Sequence, residues 1–289
     1  MKPLVLYRVD LRTADPASAL RRIDPASPLL TGTDLAATRG DGVFETVVVV
    51  DGVPQAVEAH LDRFERSASL LELPSPDRSL WRTAVETVAA EMDVPRGAVK
   101  YILSRGDEVT GEPTGWALGF APTHHRSATP PELDVVLLDR GYRSDVATTA
   151  PWLLQGAKTL SYAVNMAALR EAHRRGANDV IFVSSDGYIL EGPNSTVIAR
   201  IDGEYVTPPV EFGILPGTTQ SDAFDALTDG GDRVAVRGLT VSDLSGADAL
   251  WLCSSTRGAA PVRSLDGVAQ QVDRAITQRI SDFLNARKA

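Results

Sequence analysis

Residues 158–196, KTLSYAVNMAALREAHRRGANDVIFVSSDGYILEGPNST, hold the most informative pattern in the chain. The first half predicts a helix over about 161–175, which Gly176 is placed to end. The second half predicts a strand pair that turns at Asp186–Gly187 and breaks again at Gly192–Pro193. A lysine therefore precedes a helix and a hairpin, which indicates a mixed α/β arrangement around residue 158.

The region before residue 122 reads as a series of short strands and two amphipathic helices. A helix starts at about His60 and stops before Pro74, because proline cannot continue a helix. A run of valines turns back at Asp51–Gly52, as in a hairpin. The predicted elements are strands 46–50, 53–58, 97–106 and 114–122 and helices from about 60 and over 79–92.

The stretch PTHHRSATPPEL, residues 122–133, holds three prolines and is the best candidate for a linker. We therefore expect a smaller N-terminal α/β domain over 1–122, a linker over 123–133, and a larger C-terminal domain over 134–289. In the latter we expect strands at 134–139 and 249–255, a glycine turn opening a helix within 214–227, and a helix over 269–286. The fold class is α+β or mixed α/β, with two domains.

Composition excludes several classes of protein. The 289 residues include 29 basic and 38 acidic side chains, a formal net charge of −9, so we expect no nucleic-acid partner. Apolar runs are too short to span a membrane, and Cys253 is the single cysteine, so we expect a cytoplasmic protein without disulfides. The four histidines have no paired carboxylates beside them, so we expect no metal site. A small-molecule substrate is the default expectation.

Lysine is scarce in this chain. Of the 29 basic residues, four are lysines: Lys2, Lys100, Lys158 and Lys288. A desolvated lysine amine can form a Schiff base, whereas the guanidinium of arginine cannot. From its position alone, Lys158 is either such a nucleophile or an exposed side chain with a buried stem.

Several other polar residues have two readings on sequence grounds. Glu191 is either a residue that pairs with a protonated ring nitrogen or a residue on an edge strand that faces water. Thr218 and Thr219 fit either a phosphate site at a helix N-terminus or an ordinary cap. The remaining candidates are hydroxyls and arginines that fit either a binding site or an exposed surface: Ser255, Thr256, Arg63 and Arg105.

The order of these motifs resembles the class IV pyridoxal-phosphate (PLP) enzymes of fold type IV. The matching blocks are RGDGVFET (39–46), EAHLDRF (58–64), the block from Lys158 to Thr196, and LPGTTQ (215–220). The resemblance covers about residues 30–262 and implies the two-domain fold of the D-amino-acid aminotransferases, with PLP as cofactor.

The resemblance also implies roles for individual residues. Lys158 matches the lysine that carries PLP, Tyr162 the tyrosine near the ring oxygen, and Glu191 the glutamate bound to the ring nitrogen. The phosphate-binding positions fall on Arg63, Thr218, Thr219, Ser255 and Thr256. Phe44 and Arg105 fall at substrate-binding positions.

Within the family, the chain is most similar to aminodeoxychorismate lyases. These convert 4-amino-4-deoxychorismate to 4-aminobenzoate and pyruvate, in the folate pathway. Two other readings stay open: transamination of D-amino or branched-chain amino acids, and PLP binding without catalysis. The resemblance also implies a homodimer.

Overall fold

A computed structural model describes residues 2–13, 15–122 and 130–286. These residues form two compact units. The first unit contains the described residues up to Pro122 together with Ala157–Tyr162, and the second contains the others. Most of the predicted linker, residues 123–129, lies outside the described residues.

The first unit is built on an antiparallel sheet. Its six strands are Lys2–Val9 (β1), Leu20–Ile23 (β2), Gly42–Val50 (β3), Val53–Pro54 (β4), Arg96–Ser104 (β5) and Thr114–Ala121 (β6). Their order is β2-β1-β6-β5-β3-β4, and every neighbouring pair is antiparallel. Because side chains alternate along a strand, each strand gives one row of residues to each face.

One face of this sheet contacts helices. The helices of the first unit are Leu35–Thr38 (α1), Val57–Leu70 (α2) and Arg78–Ala90 (α3). Asp77 caps α3 by accepting hydrogen bonds from two backbone N–H groups of its first turn. Phe64 of α2, Trp81 of α3 and Tyr101 of β5 pack edge to face or tilted in the core, with ring centroids 4.8–5.8 Å apart.

The strand predicted over 53–58 is much shorter than expected. Strand β4 ends at Pro54, which has no N–H to donate to a ladder. Ala56 then adopts a left-handed conformation with φ 53°, and α2 begins at Val57, ahead of the start predicted at about His60. The chain therefore turns from strand to helix within three residues.

The second unit holds the remaining strands and helices. Its strands are Leu133–Asp139 (β7), Asp179–Val183 (β8), Thr196–Ile201 (β9), Glu204–Thr207 (β10), Arg233–Val236 (β11), Ala249–Ser254 (β12), Gly258–Leu265 (β13) and Val268–Ala269 (β14). Its helices are Val146–Thr149 (α4), Ala163–Arg174 (α5), Thr218–Asp229 (α6), Val241–Ser245 (α7) and Arg274–Ala286 (α8).

The sheet of the second unit is mixed. Its order is β11-β10-β9-β12-β13-β7-β8, with β14 paired to β13. The pairs β10–β11, β13–β7 and β7–β8 are parallel, and the others are antiparallel. Trp251 of β12, Leu227 of α6 and Ile280 of α8 share one buried cluster, so α6 and α8 cover this sheet together.

Two predictions in the second unit need correction. The strand pair predicted at 179–200 forms only in part. Its first strand is β8, but residues 188–191 beside it form no regular strand. Two backbone hydrogen bonds still join them, from Leu190 N–H to the Phe182 carbonyl and from Phe182 N–H to the Glu191 carbonyl. The C-terminal helix begins at Arg274 instead of 269.

In the part of the chain described, no helix is long and apolar enough to cross a membrane.

The segment Ala157–Tyr162 packs as an extra edge of β3. Phe44 N–H donates to the Lys158 carbonyl at 3.1 Å, and Leu160 N–H donates to the Gly42 carbonyl at 2.8 Å. Thr159 is bridged to Val43 in antiparallel fashion. We expected the lysine in the C-terminal domain, but these backbone bonds join its segment to the first unit.

Candidate active site

Lys158 and Phe44 lie side by side on one face of the first unit. Their backbones pair across the edge of β3, so their side chains project to the same side. The Lys158 Nζ lies 4.6 Å from the centroid of the Phe44 ring and 5.9 Å from that of Tyr162. Phe44 and Tyr162 contact each other edge to face, with centroids 5.3 Å apart. The structure thus brings together three residues predicted from the sequence.

A second lysine reaches the same ring. Lys100 of β5 is opposite Thr46 of β3, and its Nζ lies 5.0 Å from the Phe44 centroid. Burial lowers the pKa of Lys100, and the charge of Lys158 lowers it further. Among the described residues, no carboxylate forms an ion pair with either amine. Two partly buried amines therefore share one aromatic ring without a counter-ion.

Behind this face lies a buried ion pair. Arg63 Nε donates to Glu45 Oε1 at 2.6 Å, and Nη2 donates to Glu45 Oε2 at 2.8 Å. Glu45 is fully buried and Arg63 is 8% exposed. Burial opposes ionisation of Glu45, but the charge and hydrogen bonds of Arg63 outweigh it and hold the pKa of Glu45 well below its usual range. The same carboxylate raises the pKa of Arg63, despite burial.

His60 completes this cluster. Its Nδ1 donates to Glu45 Oε2 at 2.8 Å, because the ionised carboxylate can only accept. Burial lowers the pKa of His60 and outweighs the attraction of Glu45. The imidazole is therefore neutral at pH 7, and the cluster of Glu45, His60 and Arg63 has no net charge.

Helix α2 also contacts the backbone of Lys158. Ser67 is fully buried, and its Oγ accepts a hydrogen bond from Lys158 N–H at 3.1 Å. His60, Arg63 and Ser67 are three and four residues apart, so they line one face of α2. One helix face thus contacts both Glu45 and Lys158.

Arg105 is held by partners within the first unit. Its Nε and Nη2 donate to Asp41, Nη2 also donates to the Leu71 carbonyl at 2.6 Å, and Nη1 donates to the Glu72 carbonyl at 3.3 Å. All three guanidinium nitrogens thus have protein partners. Binding of a substrate carboxylate by Arg105 stays a prediction from the sequence, and these contacts give it a structural role.

In the second unit, Glu191 is held by backbone. It is half-buried, and its Oε2 accepts a hydrogen bond from Leu215 N–H at 3.0 Å. Its own carbonyl accepts from Phe182 N–H in the neighbouring strand β8. Backbone hydrogen bonds therefore hold both the carboxylate and the carbonyl of Glu191.

Helix α6 begins at the predicted threonines. Gly217 precedes it and provides no side-chain cap, while Thr218 is half-buried and Thr219 is buried. A Cβ at Gly217 would lie 2.2 Å from Thr196 Oγ1, so only glycine fits there. Uncapped N–H groups at the start of a helix favour an anion.

The other predicted hydroxyls lie in a turn. Ser255 and Thr256 connect β12 to β13 and are half-buried. Beyond them, Arg257 Nη2 donates to the buried Asp179 at 2.7 Å, which anchors the turn to β8. The turn that carries both hydroxyls is therefore attached to β8 through Arg257.

Four residues near these sites were not predicted from the sequence: Lys100, Glu45, His60 and Ser67. Their partners are distant in the chain, since Glu45 is 18 residues from Arg63 and Ser67 is 91 residues from Lys158. The one available signal was the rarity of interior lysine, which points to Lys100 as well as Lys158. Among the described residues, no cluster of His, Cys, Asp or Glu could hold a metal ion.

Comparison with known proteins identifies the class. The family described as amino-transferase class IV matches residues 42–265. A bifunctional aminodeoxychorismate lyase / D-amino acid transaminase of Mycobacterium tuberculosis is 46% identical over 258 residues, 85% of this chain and 89% of the relative.

Two solved structures are also similar. A fold IV-transaminase from Curtobacterium pusillum has a TM-score of 0.94 and 48% identity, covering 98% of this chain and 99% of that one. The PLP-bound form of a hypothetical aminotransferase from Mycobacterium tuberculosis has a TM-score of 0.90 and 41% identity, covering 98% of each chain.

The fold is that of the fold type IV enzymes, which confirms the predicted fold class. The chain belongs to the class IV aminotransferase family, whose cofactor is PLP. The residues present have the chemistry that PLP requires. Lys158 has an amine without a carboxylate partner for the aldehyde, and Glu191 has a hydrogen-bonded carboxylate for the ring nitrogen. Arg63 has a buried guanidinium and Thr218 begins a helix without a side-chain cap, and both suit a phosphate.

Proposed function

We propose that this enzyme is an aminodeoxychorismate lyase, which converts 4-amino-4-deoxychorismate to 4-aminobenzoate and pyruvate for folate synthesis. The observation that carries the proposal is the pair of amines at the Phe44 ring. The substrate has one amine to exchange and two carboxylates to bind. A nucleophilic lysine beside a second, unpaired cation suits that combination.

The proposal assigns each predicted residue a role toward PLP. Lys158 attaches the cofactor, and Tyr162 lies beside it. Glu191 holds the ring nitrogen protonated. The phosphate is bound by Arg63, Thr218, Thr219, Ser255 and Thr256. When bound, PLP supplies an electron sink for the carbon next to the exchanged nitrogen.

Lys158 is proposed to act twice. With PLP bound, the substrate amine would take the place of the Lys158 amine, and the freed amine would remove the proton from the ring carbon that bears the substrate nitrogen. Proton transfer by a positioned amine contributes about 10²–10⁴-fold. The carbon–oxygen bond to the enolpyruvyl group breaks, and pyruvate leaves as its enolate, which takes a proton on its methylene carbon. At the end, the Lys158 amine would take its place back and so release 4-aminobenzoate. Aromaticity of the product provides the thermodynamic drive.

Lys100 is proposed to bind one substrate carboxylate, in place of Arg105. Its amine lacks an anionic partner among the described residues, whereas Arg105 is bound to Asp41. A charge-assisted contact with an incoming carboxylate would compensate for the burial that lowers the pKa of Lys100. Phe44 lies beside this cation and would form an apolar wall for the substrate ring.

Two measurements test the proposal. Borohydride reduction of the PLP-loaded enzyme followed by peptide mapping should place the label on Lys158, and a label on Lys100 or none would refute the cofactor assignment. Incubation with aminodeoxychorismate and no keto acid should give equal amounts of pyruvate and 4-aminobenzoate. Labelled enzyme that turns over neither this substrate nor an amino acid would instead be a PLP-binding homologue without catalysis.

Transamination of a small D-amino acid is a second candidate activity. It is favoured by the Mycobacterium tuberculosis relative, whose name carries both activities. This reaction needs a keto acid to complete its second half. Conversion of the bound cofactor to its amine form on mixing with D-alanine, detected by absorbance, would support it. L-Alanine and branched-chain amino acids serve as comparison substrates.

We also propose a homodimer in the cytoplasm. The family resemblance supports the dimer, and the acidic composition with a single cysteine supports the compartment. Sedimentation of the PLP-loaded enzyme tests the dimer, since a monomeric mass at micromolar concentration would contradict it.

A further inference from the structure

We propose that Ser67 is a positioning residue that holds the backbone of Lys158 in register for attachment to PLP. The inference rests on the proposed roles of Lys158 and Arg63. It concerns how one face of α2 sets the geometry of two anchors for the same cofactor.

The first observation is an interrupted ladder. Phe44 N–H donates to the Lys158 carbonyl, and in a regular antiparallel pair Lys158 N–H would donate back to the Phe44 carbonyl. Lys158 N–H instead donates to Ser67 Oγ at 3.1 Å. The edge strand therefore ends at the lysine, and the two polar groups of its backbone are held by different elements, β3 and α2.

The second observation is the spacing on α2. Arg63 and Ser67 are four residues apart, which is about 6 Å along a helix. The phosphate and the aldehyde of PLP are carried on neighbouring carbons of one ring. Arg63, proposed to bind the phosphate, is thus one turn of α2 away from Ser67, which holds the backbone of the lysine that attaches to the aldehyde. Burial of both side chains makes this spacing rigid.

The third observation is the ion pair behind Arg63. Glu45 follows Phe44 on β3 and accepts two hydrogen bonds from Arg63. Strand β3 is therefore joined to α2 at Glu45 and to the lysine segment at Phe44, while α2 is joined to the same segment at Ser67. These three contacts close a loop, so Lys158 cannot shift along β3 without breaking one of them.

The test compares two forms of the cofactor. PLP has an aldehyde that attaches to Lys158, whereas pyridoxamine 5′-phosphate has an amine that cannot attach but carries the same phosphate. In full-length apoprotein, Ser67→Ala should weaken PLP binding by roughly tenfold, the effect of one unsatisfied buried N–H. Its affinity for pyridoxamine phosphate should stay within about twofold of wild type.

Matched variants separate the role from folding. Ser69→Ala removes an exposed hydroxyl from the same helix and should change neither affinity. Glu45→Gln should weaken both cofactor forms, because it loosens Arg63 as well as the contacts that hold Lys158. Ser67→Cys, which keeps a weak acceptor, should lie between wild type and Ser67→Ala. Normal binding of pyridoxamine phosphate by Ser67→Ala shows that the variant is folded.

Two results would overturn the inference. Unchanged affinities for both forms in Ser67→Ala would mean that the hydroxyl does not position the lysine. Equal weakening of both forms would assign Ser67 to the phosphate end or to folding. Failure of the proposed function is distinct, because wild-type enzyme would then show no borohydride label on Lys158 whatever the Ser67 variants do.

Discussion

Arg63 and Glu45 form a two-point ion pair that is almost completely removed from solvent, with hydrogen bonds of 2.6 and 2.8 Å. Removing one member of such a pair leaves the other charge buried without compensation. A substitution in this pair should therefore destabilise the first unit strongly.

Glu45→Gln should lower the free energy of unfolding by about 3 kcal/mol, because the Arg63 charge then lacks its counter-ion. Urea denaturation at pH 7.5 measures this change. Glu58→Gln is the control, since Glu58 is exposed on α2 and pairs with Arg78 at the surface. Its effect should stay within about 0.5 kcal/mol, and similar losses for both variants would contradict a special role for the buried pair.

Acidification should weaken the fold through His60. Its folded pKa is below the unfolded value of about 6.5, so the contribution of this residue is complete above that pH and is lost as the pH falls. Between pH 7.5 and 5.5 we expect a loss of about 1 kcal/mol from this group. Burial is the main cause, and Glu45, Arg63 and Lys158 are the charged groups around it.

The measurement is the difference in unfolding free energy between the two pH values. His60→Asn keeps a donor toward Glu45 but cannot titrate, so this difference should shrink. His173→Asn, at an exposed position of α5, should leave it unchanged. A difference that survives in His60→Asn would assign the pH dependence to another group.

Lys100→Met should raise the KM for aminodeoxychorismate by roughly 10–100-fold, because a charge-assisted contact with a carboxylate is lost. The borohydride label should remain on Lys158. Lys100→Arg keeps a cation and should recover part of the loss. Steady-state kinetics decide the matter, and an unchanged KM in Lys100→Met would remove Lys100 from the substrate site.

Arg105→Gln should affect stability more than catalysis. Its guanidinium is bound to Asp41 and to the carbonyls of Leu71 and Glu72, so its loss should cost about 1 kcal/mol. The KM should change by less than about twofold. A large rise in KM with unchanged unfolding free energy would instead restore the substrate role that the sequence suggested.

Glu191→Gln should lower kcat on the order of 10²-fold, since a neutral amide does not keep the ring nitrogen of PLP protonated. Glu211→Gln, at an exposed site in the same unit, is the control. Loss of the primary isotope effect on proton removal would show that another step has become limiting. Unchanged turnover would rule out the proposed electron-sink role of Glu191.

Local patterns predicted most of the elements correctly. Helices α2 and α3 follow from apolar spacing and from Pro74, and the run of valines gives β3. Boundaries failed where backbone conformation overrode the pattern, as at Ala56 with its positive φ. The sequence of residues 53–58 cannot reveal this left-handed conformation, because alanine rarely adopts it.

The site was harder to predict than the fold. Taken alone, Arg63 lies off the apolar stripe of α2, which suggests an exposed side chain; it is buried because Glu45 faces it from the sheet. Lys100 and Lys158 meet at Phe44 although 58 residues separate them. Sequence spacing cannot predict such pairings, because they depend on which strands are neighbours in the sheet.

The segment Ala157–Tyr162 has a consequence for the modularity of the chain. It completes the first unit, although the residues on both sides of it belong to the second. A fragment cut at residue 122 would lack both Lys158 and the segment that pairs with the start of β3. Neither half of the chain is a complete unit, so separately expressed halves would have to associate by fragment complementation, and recombination that exchanges one unit between relatives would need three crossovers instead of one.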